Sequence, residues 1–106
     1  MKTKNKKQKM KQEKPFVIVR SHTAGVHAGY LESRKGDTLT LTQSRRLWRW
    51  YGGSLSEVAV YGPKAGDNKF GAPVPKTEIV SPKGFEIAHC TDAGRASIQA
   101  VAEWRA

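Results

Sequence analysis

The sequence has little of what usually staples or anchors a small protein. It contains a single cysteine, Cys90, so an intramolecular disulfide cannot form, which favours a reducing compartment. No apolar run approaches the ~20 residues of a membrane span, and no apolar segment follows the lysine-rich start as it would in a secretory signal. These shortages predict a soluble, cytoplasmic protein without a membrane partner.

Metal-binding and catalytic patterns are equally scarce. His22 and His27 lack the spacing of zinc ligands, and His89 and Cys90, as neighbours on a strand, would point to opposite faces. Cys90 could join a histidine and Asp92 in a nucleophilic set, but no catalytic signature surrounds them. The glycines also lack the pattern of a phosphate-binding loop. We therefore predict a non-enzymatic protein that uses no metal and no cofactor.

Positive charge is abundant but unevenly distributed. The chain of 106 residues, enough for one domain, has 19 Lys and Arg against 9 Asp and Glu, a net charge of +10. Residues 1–14 hold seven lysines and Glu13, or +6, which leaves +4 for residues 15–106. The excess predicts a polyanionic partner, and most of it lies at the start of the chain.

Two regions follow from this distribution. Residues 1–14 have too few apolar side chains to offset the entropy of ordering, so we expect a disordered basic arm there. Residues 15–106 form the predicted single β-rich domain. Such an arm favours contact with nucleic acid, the alternative being a solubilising tail. Its candidate contacts are Lys4, Lys6, Lys7, Lys9 and Lys11.

Strand signals dominate the first half of the folded region. The runs "FVIVR", "VHAGYLES", "DTLTLTQ" and "RRLWRWY" are rich in β-branched and aromatic residues, and short turns separate most of them. Gly36 suits a hairpin turn between the second and third runs. "TEIV" and "FEIAH" predict two later strands. The spacing is typical of an antiparallel meander.

Helix signals are fewer and local. Ser54 and Glu57 fit a capping box, which predicts a short helix to about Ala59 before the backbone extends again. Thr91 suits the cap of a C-terminal helix whose apolar stripe would reach Trp104, with Gly94 as its weak point. The fold class predicted is α+β, mainly β: a small, strongly bent antiparallel sheet or partly open barrel with a C-terminal helix.

The stretch "SRRLWRWYGG" raises the main functional question. On an extended strand, Arg46, Trp48 and Trp50 would point to one face, while Arg45, Leu47, Arg49 and Tyr51 would point to the other. Because tryptophan offers the larger apolar area, we expect the tryptophans in the core. The arginines and the tyrosine would then form an exposed row suited to phosphate and bases. The alternative exposes the tryptophans themselves.

A resemblance covers most of the folded region, from about Val17 to Trp104. The motifs "AGVHAG" and "RRLWRW", with "LSEVAVYG" and "IAHCTDAGRASI", resemble a family of small uncharacterised proteins of tailed bacteriophages and prophages. The resemblance implies a viral source and a compact β-rich domain, and it transfers no catalytic residue. In "AGVHAG" itself, Gly25 and Gly29 are expected to serve a tight turn or a close backbone approach.

The function expected from these observations is non-enzymatic binding of nucleic acid with low sequence specificity. The lysine arm would supply long-range attraction, and Arg20 and Arg34 would extend the surface formed by Arg45, Arg49 and Tyr51. The alternative is a protein partner, either a host complex or a phage particle. The resemblance implies the cytoplasm of an infected bacterial host, or the virion, as the location. The oligomeric state stays open.

Overall fold

The computed structural model describes residues 14–105. Within this range the chain forms six strands and two helices, with the C-terminal helix that the sequence predicts. In chain order they are β1 (Phe16–Ser21), β2 (Gly25–Lys35), β3 (Thr38–Arg49), α1 (Leu55–Tyr61), β4 (Lys69–Phe70), β5 (Val74–Val80), β6 (Phe85–His89) and α2 (Asp92–Ala100). No helix among these residues is long and apolar enough to cross a membrane.

The strands form one open antiparallel sheet. Strands β3, β2, β1 and β6 lie side by side, and the free edge of β3 pairs with β5 along its first half and with β4 near its end. The two runs predicted as a third and a fourth strand are continuous in β3. They remain joined because Gln43, at φ 50°, absorbs a register shift without ending the strand.

The sheet has a hydrophobic core on each of its faces. The helices cover one face, where Phe16, Leu47, Phe70 and Ile98 are buried with five further hydrophobic residues. The other core joins residues of β1, β3 and β5, namely Val17, Val19, Leu39, Leu41 and Ile79. Side chains of β1 and β3 meet there across β2, so the sheet curves around them. This confirms the predicted mainly β architecture.

Local signals placed the helix starts correctly. The Ser54 hydroxyl accepts from the backbone N–H of Glu57, whose carboxylate accepts from the backbone N–H of Ser54, as a capping box requires. Thr91 caps α2 in the predicted way. The extents differ, since α1 continues through Tyr61, where the sequence predicts extended backbone.

The end of α2 also differs from the prediction. The helix stops at Ala100, and Val101 is extended, so Trp104 does not continue a helical stripe. Instead Glu103 forms a parallel bridge with Phe70, and the backbone N–H of Trp104 donates to the Phe70 carbonyl at 2.8 Å. The tryptophan therefore lies at the edge of the sheet beside β4.

Candidate functional site

Arg45, the first residue of the predicted exposed row, is buried. It is only 4% exposed, and its guanidinium donates to three backbone carbonyls: Gly71 at 2.7 Å, Ile98 at 2.9 Å and Phe70 at 3.2 Å. Burial lowers the pKa of the guanidinium, partly opposed by the charge of Glu103. The expectation that Arg45 faces solvent is therefore wrong, since this side chain ties three segments together inside the protein.

The tryptophans divide between the two sides of the strand. Leu47, not Trp48, faces the helices, because it pairs with Phe70 and fits the core there. Trp48, the next residue, points the other way and is 53% exposed. A bulge follows, in which two residues of β3 span one step of β4, and it leaves Arg49 outside as well. Trp50 packs against the helix-side core as expected. The alternative of exposed tryptophans is thus correct for Trp48 alone.

An exposed strip of basic and aromatic side chains results, and we call it the basic–aromatic strip. The Arg46 guanidinium lies over the Trp48 ring, 4.5 Å from its centroid. Trp48 meets Trp104 edge to face, with ring centroids 6.1 Å apart. The Lys69 ammonium lies 5.2 Å from the Trp104 centroid. Its six members are Arg46, Trp48, Arg49, Tyr51, Lys69 and Trp104.

Asp67 links the second half of the strip. Its carboxylate lies 3.9 Å from the Lys69 ammonium and 3.5 Å from the Arg49 guanidinium. Arg49 in turn donates to the Tyr51 hydroxyl at 3.0 Å and covers part of that ring. The structure thus brings together Arg49 and Tyr51 as predicted, and it adds Arg46, Trp48, Lys69 and Trp104 to them.

The loop between α1 and β4 holds Asp67 and Lys69 in place. The Asn68 side chain accepts from the Tyr51 N–H and donates to the Lys64 carbonyl, both at 2.8 Å. Gly66 lies directly on the Tyr51 ring, where an added Cβ would be 2.8 Å from Cγ. These contacts fix the loop against the end of β3, so Lys69 and, through Asp67, Arg49 are positioned before any partner arrives.

Other predicted contacts lie elsewhere. Arg20 pairs with Glu86 at 2.8 Å, and Arg34 lies over Phe85, 5.4 Å from the ring centroid. Arg20 lies on β1, two strands from β3, and Arg34 lies on β2 opposite Leu39, near the start of β3, whereas Arg46 and Trp48 lie near its end. The candidate contacts Lys4, Lys6, Lys7, Lys9 and Lys11 fall outside the described residues.

His27 lies on β2 beside Arg46 of the strip. It is buried, pairs with Arg46 across the two strands, and its Nε2 donates to the Ala24 carbonyl at 2.9 Å. Burial lowers its pKa below the ordinary 6.5; the Ala24 hydrogen bond opposes this shift, and the charge of Arg46 adds to it. The imidazole is therefore neutral at pH 7.

We expect acid to destabilise the protein through His27. Because its folded pKa is lowered, the unfolded chain binds the proton first, and the free energy of unfolding falls as the pH drops below about 6.5. His27→Gln should flatten this part of the profile in denaturant titrations at a series of pH values. His22→Gln, at an exposed histidine, should not. Equal slopes for wild type and His27→Gln would contradict this assignment.

Cys90 does not have the environment of a nucleophile. It packs half-buried against the helix-side core, and burial raises the pKa of its thiol to about 11. The thiol is therefore protonated at neutral pH. Among residues 14–105, no three His, Cys, Asp or Glu side chains converge as metal ligands would.

Comparison with known proteins places the chain in a family. No curated protein and no solved structure matches it. One family, described as Domain of unknown function (DUF6948), matches residues 14–98, which include β1 through most of α2. Arg45, Arg46, Trp48, Arg49, Tyr51 and Lys69 lie within the matched range, and Trp104 lies beyond it. The chain therefore belongs to the DUF6948 family.

Proposed function

We propose that the protein binds nucleic acid with low sequence specificity and that the basic–aromatic strip is its contact surface. The observation that carries the proposal is the unbroken series of contacts from Arg46 through Trp48 and Trp104 to Lys69 and Arg49. Cations suit phosphates, and exposed rings suit bases of any identity.

The charge of the strip supports this choice. The strip has three cations, Arg46, Arg49 and Lys69, and a single carboxylate, Asp67, contacts the last two, so the surface has a net positive charge. The Arg49 and Lys69 side chains are exposed or half-exposed, so they can exchange Asp67 for a phosphate. The lysines of residues 1–13 would add attraction that does not depend on sequence.

A salt titration tests the proposal. With full-length protein and a fluorescent oligonucleotide, we expect the logarithm of the affinity to fall linearly with the logarithm of the salt concentration. Arg49→Gln should reduce that slope by just under one, as expected for the loss of a single phosphate contact. Arg95→Gln is the matched control, since Arg95 lies on α2 and pairs with Asp92 away from the strip. Affinity indifferent to salt and to Arg49 would exclude the proposal.

A protein partner is the second candidate. An exposed tryptophan beside arginine and tyrosine is also the composition of protein interface hot spots. This alternative predicts a stoichiometric complex that survives nuclease treatment and is weakened by Tyr51→Ala. For either partner, the resemblance of "AGVHAG" and "RRLWRW" to phage proteins leads us to propose action in an infected bacterial cell.

A further inference from the structure

We propose that the strip is specific for single strands, DNA or RNA, over duplex. This inference rests on the proposed function and concerns the form of nucleic acid that the same surface accepts. It follows from the arrangement of Trp48 and Trp104, from the cations that lie on their rings, and from the small number of charges around them.

The exposed ring of Trp48 is the first argument. Leu47 and Phe70 already fill the core at this position, so Trp48 contributes little to that core and remains largely in solvent. Exposing so large an apolar surface is unfavourable unless a partner covers it. Bases in a duplex bury their faces against one another, whereas those of a single strand are free to stack on the ring.

The second argument concerns the cations. Arg46 lies on the Trp48 ring and Lys69 on the Trp104 ring, so each aromatic has a cation beside it. An incoming base would take the place of the cation on the ring. The displaced guanidinium or ammonium would then meet the phosphate of the same nucleotide, so both groups keep a partner.

"AGVHAG" contributes to this arrangement. Gly25 has φ 84°, and an added Cβ would lie 2.8 Å from the Arg46 Nη2. The missing side chain therefore leaves the space in which the guanidinium lies between the β1–β2 turn and Trp48. One residue of the motif thus serves the strip as well as the turn.

The charge count is the third argument. Arg46, Arg49 and Lys69 are few cations for a duplex, whose affinity grows with the number of phosphates contacted, and Asp67 offsets one of them. At the strip, stacking therefore supplies a larger share of the affinity than charge does, while the lysines of residues 1–13 would add attraction to either form of nucleic acid. A surface of this kind favours strands whose bases are accessible.

Binding of matched probes tests the inference. Full-length protein is titrated into labelled oligothymidine, oligouridine and a duplex of equal length, with anisotropy and tryptophan quenching recorded together. We expect Trp48→Leu to weaken single-strand binding about tenfold and to change duplex binding by less than about twofold. Trp50→Phe is the control, since Trp50 packs against the core and donates to the Gly53 carbonyl.

The outcomes separate the two proposals. Preference for either single strand, lost in Trp48→Leu and kept in Trp50→Phe, supports the inference. Duplex binding as tight as single-strand binding, or equal weakening of both by Trp48→Leu, overturns it while the proposed function stands. Failure to bind any of the three probes overturns the proposed function and this inference with it.

Discussion

Replacing Arg45 by methionine should lower the free energy of unfolding by about 3 kcal/mol. The guanidinium donates to the carbonyls of Gly71, Ile98 and Phe70, and methionine can fill the space but cannot donate. An orphaned buried polar group costs roughly 1–3 kcal/mol. The Ile98 and Phe70 carbonyls keep second donors, the N–H groups of Val101 and Trp104, which limits the loss.

The neighbouring arginine provides a matched control. Arg46 is exposed and lies against Trp48, so Arg46→Met should change stability by less than about 0.5 kcal/mol. Urea unfolding followed by tryptophan fluorescence measures both variants. Equal losses at the two positions would show that Arg45 does not stabilise the protein through its carbonyl contacts.

Arg45 also connects the core to the strip. Two of its acceptors help to position Trp104. The Ile98 carbonyl lies near the end of α2, and the Phe70 carbonyl also accepts from the backbone N–H of Trp104. Without the guanidinium, the last turn of α2 loses a tie to β3, and Trp104 loses a constraint that keeps it against Trp48. Arg45, which the sequence predicts to contact the partner directly, instead helps to hold Trp104 of the strip in position.

The sequence misleads at "RRLWRW" for two separate reasons. Ranking by apolar area put Trp48 in the core, yet the smaller Leu47 faces Phe70 and the helices. The bulge at Trp48 then reversed the alternation, so Arg49 is outside and Trp50 inside, as predicted but for a different reason. Strict alternation of side chains along a strand cannot predict where a bulge inserts an extra residue.

Locally determined features were predictable, and long-range contacts were not. Caps at Ser54 and Thr91 depend on residues three apart, and strands depend on short runs, so the antiparallel meander and the helix starts could be read directly. Lys69 and Trp104 join Trp48 only because β4 and the segment after α2 pair at one edge. Nothing in the local pattern of either residue indicates that pairing.

Gly94→Ala should destabilise the protein by about 2 kcal/mol, although helix propensity alone favours alanine by roughly 1 kcal/mol. Gly94 is buried within α2, where α1 packs closely against it, and an added Cβ would collide with the backbone carbonyl of Ala59. Backbone cannot move aside as a flexible side chain can, so the helices must separate. The glycine that weakens the helix in isolation is what allows α1 and α2 to pack.

The sign of the change is the test, because the two effects oppose each other at this position. Ala96→Gly, on the exposed side of the same helix, should cost about 1 kcal/mol through propensity alone. Thermal and urea unfolding of both variants then separate helix propensity from helix packing. At Ala96 alanine should be more stable than glycine, as propensity predicts, and at Gly94 glycine should be more stable than alanine. If Gly94→Ala were stabilising, α1 would not approach Gly94 as closely as the position of the Ala59 carbonyl requires.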